Sequence, residues 1–186
     1  MQLRNQELME EFYSRNLSKY PELTIKQVTS ICHTPFQLLR NCIEGDEITE
    51  VTSSKLPNVP NEEQIRNLEA LVKVVLDPAR ELLGTPIGVN SGYRSPAVNG
   101  ATAGSSKTSQ HMTGQAADIR ALDKVKLFKI IRDKLPFDQL IWEDGQTGGA
   151  TVPGWIHVSY RNDSKNRGQV LRINKSGVTV PLPKVY

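Results

Sequence analysis

The chain has 186 residues, of which 38% are hydrophobic and 23% are charged. This length and composition describe one globular domain, or one domain with a short appendage, and they exclude a disordered, collagen-like or coiled-coil chain. The 23 Lys and Arg residues against 20 Asp and Glu residues give a net charge of +3. This mild excess is compatible with an anionic partner but points to no particular one.

Targeting signals are not evident in the sequence. No run of residues has the apolar length of a membrane span. The N-terminal residues include acids and lack a continuous apolar segment, so we expect no secretory signal.

The order of predicted elements begins with helices. Residues 1–50 predict a polar, helical N-terminal segment, and the prolines, serines and asparagines of residues 51–61 predict a linker. A second unit is expected over residues 60–186. Its first helix is predicted to begin at Asn61, whose spacing to Gln64 is typical of a capping box, and to end at Gly84. Pro78 is expected to kink this helix.

The remaining elements alternate between strands and one more helix. The pattern predicts a strand over residues 87–91, a long loop over 99–109, a strand over 116–119, a helix over 123–134, strands over 137–143 and 155–160, and a hairpin formed by 171–173 and 178–180. Helices followed by mixed strands indicate an α+β fold, for which we expect an antiparallel sheet flanked by helices.

Three residues suggest a metal site: His111, Asp118 and His157. Two imidazoles and a carboxylate are good ligands for Zn²⁺, and three protein ligands leave a fourth position for a water whose pKa falls to about 7. The spacing of His111 and Asp118, with Gly114 between them, does not fit one helix face. It fits a loop that carries His111, turns at Gly114 and enters a strand carrying Asp118. A histidine in a strand is more often a packed residue than a ligand, so the neighbouring motifs decide.

Those motifs resemble one family. The chain contains SGYRSP at residues 91–96, then Asn99, then the pattern SxHxxGxAxD at 109–118, FDQLI at 137–141 and WIHVSY at 155–160. In this order they closely resemble the M15 metallopeptidases, over roughly residues 60–161. The likeness is to the D-alanyl-D-alanine carboxypeptidase-like branch, which includes phage endolysins. It implies a hedgehog/DD-peptidase-like fold and a zinc-dependent peptidase, either a carboxypeptidase or an endopeptidase, that cleaves peptidoglycan stem peptides.

The resemblance also implies residue roles. His111, Asp118 and His157 match the zinc ligands, Arg94 matches an arginine that contacts substrate, often a carboxylate, and Ser109 matches a serine at the site. The guanidinium fork of Arg94 is suited to hold a carboxylate or polarise the scissile carbonyl. The alternative is that Arg94 pins its turn by bonding backbone carbonyls. Ser109 either donates to a substrate oxygen or shapes the loop before His111.

The general base is the point at which this sequence departs from the family. Many M15 enzymes carry an acid three residues before the last zinc histidine, and here that residue is Gly154. If strands 137–143 and 155–160 form an antiparallel hairpin, Ile141 faces His157. Glu143 then lies on the same face, about 7–8 Å from it diagonally. We therefore predict Glu143 as the base. A one-residue slip would put Glu143 on the other face, and Asp144 is the alternative.

Two rival functions follow from the same residues. Gly154 favours a zinc-containing cell-wall binding module without turnover. A 2-His-1-carboxylate set also describes a non-haem Fe(II) oxygenase, although the motifs and the α+β pattern argue against it.

The expected partners are peptidoglycan peptides, with no nucleic acid, no membrane span and a monomeric state. We expect synthesis in the cytoplasm and action on the cell wall, reached by release at lysis, as part of a virion or by an unconventional export route. Lys165, Arg167, Arg172 and Lys175 form a basic stretch that is either a solvated face or a contact for anionic wall polymers.

Overall fold

The structure is a computed structural model that describes Cys42 and residues 56–182. Apart from Cys42, the helical segment predicted over residues 1–50 lies outside the described residues, as does the first part of the predicted linker. Among the helices of residues 56–182, none has the length and apolar character needed to cross a membrane.

The first helical stretch begins with the predicted capping box. Helix α1 (Glu62–Leu71) starts after Asn61, whose side chain accepts from the Gln64 backbone while the Gln64 side chain accepts from the Asn61 backbone. A π-helical turn (Val72–Leu76) leads into α2 (Asp77–Leu83), which ends at Gly84 with φ 75°. Pro78 lies in the first turn of α2, where its missing N–H is tolerated, so the irregularity precedes the proline.

The strands form one six-stranded sheet. Their bounds are β1 (Gly88–Ser91), β2 (Ala116–Arg120), β3 (Gln139–Glu143), β4 (Trp155–Ser159), β5 (Gln169–Ile173) and β6 (Thr179–Pro181), in the spatial order β1-β2-β4-β3-β5-β6. The α+β prediction is confirmed. The pairs are antiparallel except that β3 and β5 run parallel. This parallel pair was not predicted. It arises because β5 turns back after β4 but pairs with β3, which is itself antiparallel to β4.

The core lies on one face of the sheet. Alternate strand residues point toward the helices, among them Leu140 and Trp142 of β3 and Ile156 and Val158 of β4. Helix α4 (Lys124–Lys134) packs there, and the ring of Phe128 meets that of Trp142 edge-on. The residues between them therefore point to the opposite face, which leaves that face for polar side chains.

One short helix was not predicted. Helix α3 (Pro96–Ala101) begins after Ser95, whose side chain accepts from the Val98 backbone, and Pro96 lies in its first turn. The predicted loop over residues 99–109 is therefore shorter at its start. Ser followed by Pro was the available signal, since both residues favour helix N-termini.

Candidate metal centre

His111, Asp118 and His157 meet on the sheet face opposite the core. Strands β2 and β4 pair in a register that places Asp118 directly beside His157. His111 Nε2 lies 3.2 Å from His157 Nδ1 and 3.4 Å from Asp118 Oδ1. His157 Nδ1 lies 2.9 Å from the same carboxylate oxygen. The three potential ligand atoms thus form a compact triangle.

His111 is delivered by a short turn rather than by a strand. A 3₁₀ turn (Gln110–Thr113) ends at Gly114, which has a φ of 70°. A Cβ at Gly114 would lie 2.4 Å from the backbone oxygen of Gln64. The Gln64 side chain in turn donates to the Met112 carbonyl. Helix α1 therefore fixes the turn that carries His111, as expected for a loop that bends at Gly114 before β2.

The tautomer of His111 follows from its buried partner. Its Nδ1 lies 2.6 Å from the Gly92 carbonyl, and a carbonyl only accepts, so Nδ1 carries the proton and donates. Nε2 then turns a lone pair toward Asp118 and His157. Burial lowers the pKa of His111, although the charge of Asp118 opposes this shift. The imidazole is therefore held neutral, which is the form that binds a metal.

Asp118 uses both carboxylate oxygens. Oδ1 faces the two histidines, and Oδ2 accepts from Arg94 Nη2 at 3.1 Å. Burial alone would raise the pKa of Asp118. The neighbouring His111 and His157 imidazoles outweigh burial and hold that pKa well below its usual range. The carboxylate is therefore ionised over the whole physiological range.

The triangle fits a zinc ion. Tetrahedral bonds of about 2.0–2.2 Å place neighbouring ligand atoms about 3.3 Å apart. The observed separations of 2.9, 3.2 and 3.4 Å lie close to that value. The second nitrogen of His111 and the second oxygen of Asp118 are both held by the protein, an arrangement typical of ligands oriented by their outer partners.

Arg94 bonds the cluster rather than backbone carbonyls. Its guanidinium donates to Asp118, and its backbone N–H donates to the His111 carbonyl at 3.2 Å. Its buried Nε has no hydrogen-bond partner in the described part of the chain. Burial lowers the pKa of Arg94, against the attraction of Asp118. The Arg94 side chain therefore bonds Asp118 and not the backbone carbonyls of its own turn. Contact between Arg94 and substrate stays a prediction.

Ser109 has a visible structural role. Its hydroxyl accepts from the His111 backbone at 3.4 Å and so caps the turn that carries the histidine. This matches the expectation that Ser109 shapes the loop. Its contact with a substrate oxygen stays a prediction.

The strand register predicted for Glu143 is confirmed. Strands β3 and β4 place Ile141 opposite His157 and Glu143 opposite Trp155, so Glu143 lies on the face of the cluster. Burial, followed by repulsion from Asp118, raises the pKa of Glu143 from 4.5 to about 7. A carboxyl group with that pKa exchanges a proton readily near neutral pH.

Asp144 is paired with Arg172. It is buried, and its two oxygens accept from Nε and Nη2 of Arg172 at 2.9 and 2.6 Å. That bidentate contact lowers the pKa of Asp144. Asp144 is therefore disfavoured as the alternative base. Arg172, one of the four residues of the basic stretch, is paired with this buried carboxylate.

Gly154 has no room for an acidic side chain. Its N–H donates to the Glu143 carbonyl at 2.7 Å. A Cβ at this position would lie 2.6 Å from the backbone oxygen of Asp144. The close approach of the two strand ends therefore requires glycine at this position.

Comparison with known proteins decides the family. A family model described as Peptidase M15 matches residues 46–159, more than half of the chain. The chain belongs to the peptidase M15 family. A search of curated proteins finds no match. Members of the M15 family are hydrolases of peptide bonds, and the matched segment contains the whole His–Asp–His group. It ends at Ser159, so β5, β6 and the loop before them lie beyond it.

One supporting residue was missed by the sequence reasoning. Asn58 lies in the segment predicted as a linker, yet its side chain donates to the Tyr93 carbonyl at 3.1 Å and accepts from the Ser95 backbone at 2.7 Å. Asn58 therefore bonds the backbone on both sides of Arg94. No local pattern signals this contact, because it joins residues 35 and 37 positions apart.

Proposed function

We propose that this M15 family member is a zinc-dependent peptidase that hydrolyses peptide bonds in peptidoglycan stem peptides. The observation that carries the proposal is the ligand triangle, in which a neutral His111, an ionised Asp118 and His157 have the spacing of a zinc ligand set. Zinc bound by these residues would lower the pKa of water and polarise the scissile carbonyl.

Glu143 supplies the proton transfers. Its carboxylate accepts a proton from the water that attacks the carbonyl carbon, so that a C–O bond forms. It then gives this proton to the leaving nitrogen as the C–N bond breaks. A pKa of about 7 suits both roles. Trp155 lies opposite Glu143, and its ring covers Gly145, so the loop after β3 is held against this end of the site.

Arg94 and Ser109 act on the substrate oxygens. Within residues 56–182, the Arg94 side chain makes one hydrogen bond, from Nη2 to Asp118, and its buried Nε has no partner. We assign Nη1 to the carbonyl oxygen or carboxylate of the peptide, where its charge stabilises negative charge that develops during attack. The hydroxyl proton of Ser109 is available to a substrate oxygen because the oxygen itself accepts from His111 N.

The test is hydrolysis of purified stem peptides by the zinc-loaded protein, with products identified by mass spectrometry. The masses distinguish loss of a terminal residue from internal cleavage. We expect Glu143→Gln to lower kcat about 10²–10⁴-fold. The matched control is Glu69→Gln, a change at an exposed helix residue, which should leave kcat unchanged. Wild-type kcat in Glu143→Gln would exclude Glu143 as the base.

A cell-wall binding module without turnover is the second candidate, favoured by Gly154. It predicts one zinc per chain, binding of stem peptides and no cleavage by the wild type. An iron oxygenase is disfavoured by the family and by the α+β sheet, and metal analysis of protein purified without added metal tests it directly.

A further inference from the structure

Arg167 lies in the loop between β4 and β5, beyond the segment matched by the family. Its backbone N–H and its Nε both donate to Asp138 Oδ1 at 2.9 Å, and its Nη2 donates to Oδ2 of the same carboxylate. Asp138 is fully buried, whereas half of the Arg167 side chain is exposed. A buried carboxylate thus holds one edge of a guanidinium whose other edge faces solvent.

The loop around Arg167 is braced at both ends. The Asn166 side chain accepts from the Arg161 backbone at 2.8 Å and donates to its carbonyl at 2.9 Å. Gly168 N–H donates to the Phe137 carbonyl at 3.2 Å. The guanidinium is therefore positioned before any ligand arrives, which reduces the entropy lost on binding.

Arg167 borders the candidate metal centre. Its Nη2 reaches Gln110 Oε1 at 3.4 Å, and Gln110 immediately precedes His111. The Asp138 backbone donates to the Ser159 carbonyl at 2.7 Å, and Ser159 lies two residues after His157 on β4. Glu143 lies at the other end of β4, opposite Trp155. Arg167 and Glu143 therefore flank the ligand triangle on opposite sides.

The exposed edge of Arg167 has hydrogen-bond donors to offer. Nη1 makes no hydrogen bond to any residue of the described chain, and Nη2 has only the long contact to Gln110 beyond Asp138. With Arg167 included, the cluster of Arg161, Lys165, Asp138 and Asp163 has a net charge of +1. The planar pair of donors on this positively charged guanidinium is suited to a carboxylate.

We propose that Arg167 binds a carboxylate of the peptide substrate, away from the scissile bond, and so sets a preference for anionic peptides. This inference rests on the proposed function for its substrate class. It assigns Arg167 a specificity role, separate from the residues that carry out hydrolysis.

The test is binding, so that it does not depend on turnover. In zinc-loaded protein carrying Glu143→Gln, calorimetry would measure Kd for an acetylated stem tetrapeptide. Two twins of this peptide have either the internal glutamyl carboxylate or the C-terminal carboxylate replaced by a carboxamide. We expect one twin to bind about tenfold more weakly than the parent peptide, as a hydrogen bond to a charged group implies. Arg167→Lys should remove most of this difference.

A double variant tests the same role without leaving a buried charge unpaired. Asp138→Asn/Arg167→Gln removes both charges and leaves no unpaired buried carboxylate; it should bind the parent and the weaker twin equally. The control Arg161→Gln, in the same loop but paired with Asp163, should keep the tenfold preference.

Equal binding of parent and twins by the protein with Arg167 intact would overturn the proposal, as would a preference that survives in both Arg167 variants or failure of every peptide to bind. A preference that depends on Arg167, in a protein whose wild type cleaves nothing, would support this inference and refute the proposed hydrolysis.

Discussion

Replacing Glu143 by glutamine should make the metal-free protein more stable at alkaline pH. The same replacement should lower the activity of the zinc-loaded protein. Burial on the site face, together with the charge of Asp118, raises the pKa of Glu143 from 4.5 to about 7. The folded protein therefore holds the proton more tightly than the unfolded chain. Stability then falls as the pH rises between these two values, and the loss is complete above the higher one.

The size of this effect follows from the two pKa values. A difference from 4.5 to about 7 corresponds to about 3 kcal/mol. The side chain is partly exposed, and a buried glutamine amide also loses hydration, so both reduce the gain. We expect Glu143→Gln to raise the free energy of unfolding by about 1–2 kcal/mol at pH 8.5 and to have almost no effect at pH 4.

Urea denaturation of chelator-treated protein at both pH values measures this difference. The metal must be absent, because a bound cation would favour the ionised form of Glu143. Glu69→Gln, at an exposed helix position, should change stability by less than about 0.5 kcal/mol at either pH. If Glu143→Gln and the wild type differed equally at pH 4 and pH 8.5, burial of an ionisable Glu143 would be refuted.

Three further outcomes are expected. Zinc at 100 times its Kd should raise the free energy of unfolding by about 2.7 kcal/mol, and Asp118→Asn should abolish most of this increase, as denaturation with and without zinc would show. Gly114→Ala should cost about 2 kcal/mol or more because its Cβ would lie 2.4 Å from the Gln64 oxygen. Gly84→Ala, with a similar φ but open space, should cost about 1 kcal/mol, and equal costs would contradict the steric argument. Gly154→Ala should lower both stability and kcat.

The site could be predicted where its residues follow strand alternation. The period of two placed Asp118 between buried neighbours and His157 within a strand, and one assumed hairpin register then placed Glu143 beside them. The register is observed as assumed. These positions depend on local geometry and on one turn, which the sequence patterns constrain.

Other features depend on contacts between distant segments. Asn58, Arg167 and the parallel pairing of β3 with β5 each join parts of the chain that no local pattern relates. The basic stretch shows the same limit: charge composition suggested an open cationic face, but Arg167 and Arg172 each meet a buried carboxylate. Composition counts charges, whereas tertiary packing decides which of them are paired.

Gly154 and Glu143 lie at neighbouring strand ends beside the candidate metal centre. Gly154 N–H bonds the Glu143 carbonyl, and the Cα of Gly154 lies so close to the Asp144 backbone that a side chain is excluded. The two strand ends that flank His157 are thus close neighbours, and a carboxylate from either strand end starts close to the ligand triangle. In this chain, the end of β3 carries the carboxylate and the start of β4 provides the close approach. The absence of an acid three residues before His157 is therefore compatible with turnover, because the neighbouring strand brings Glu143 to the same face.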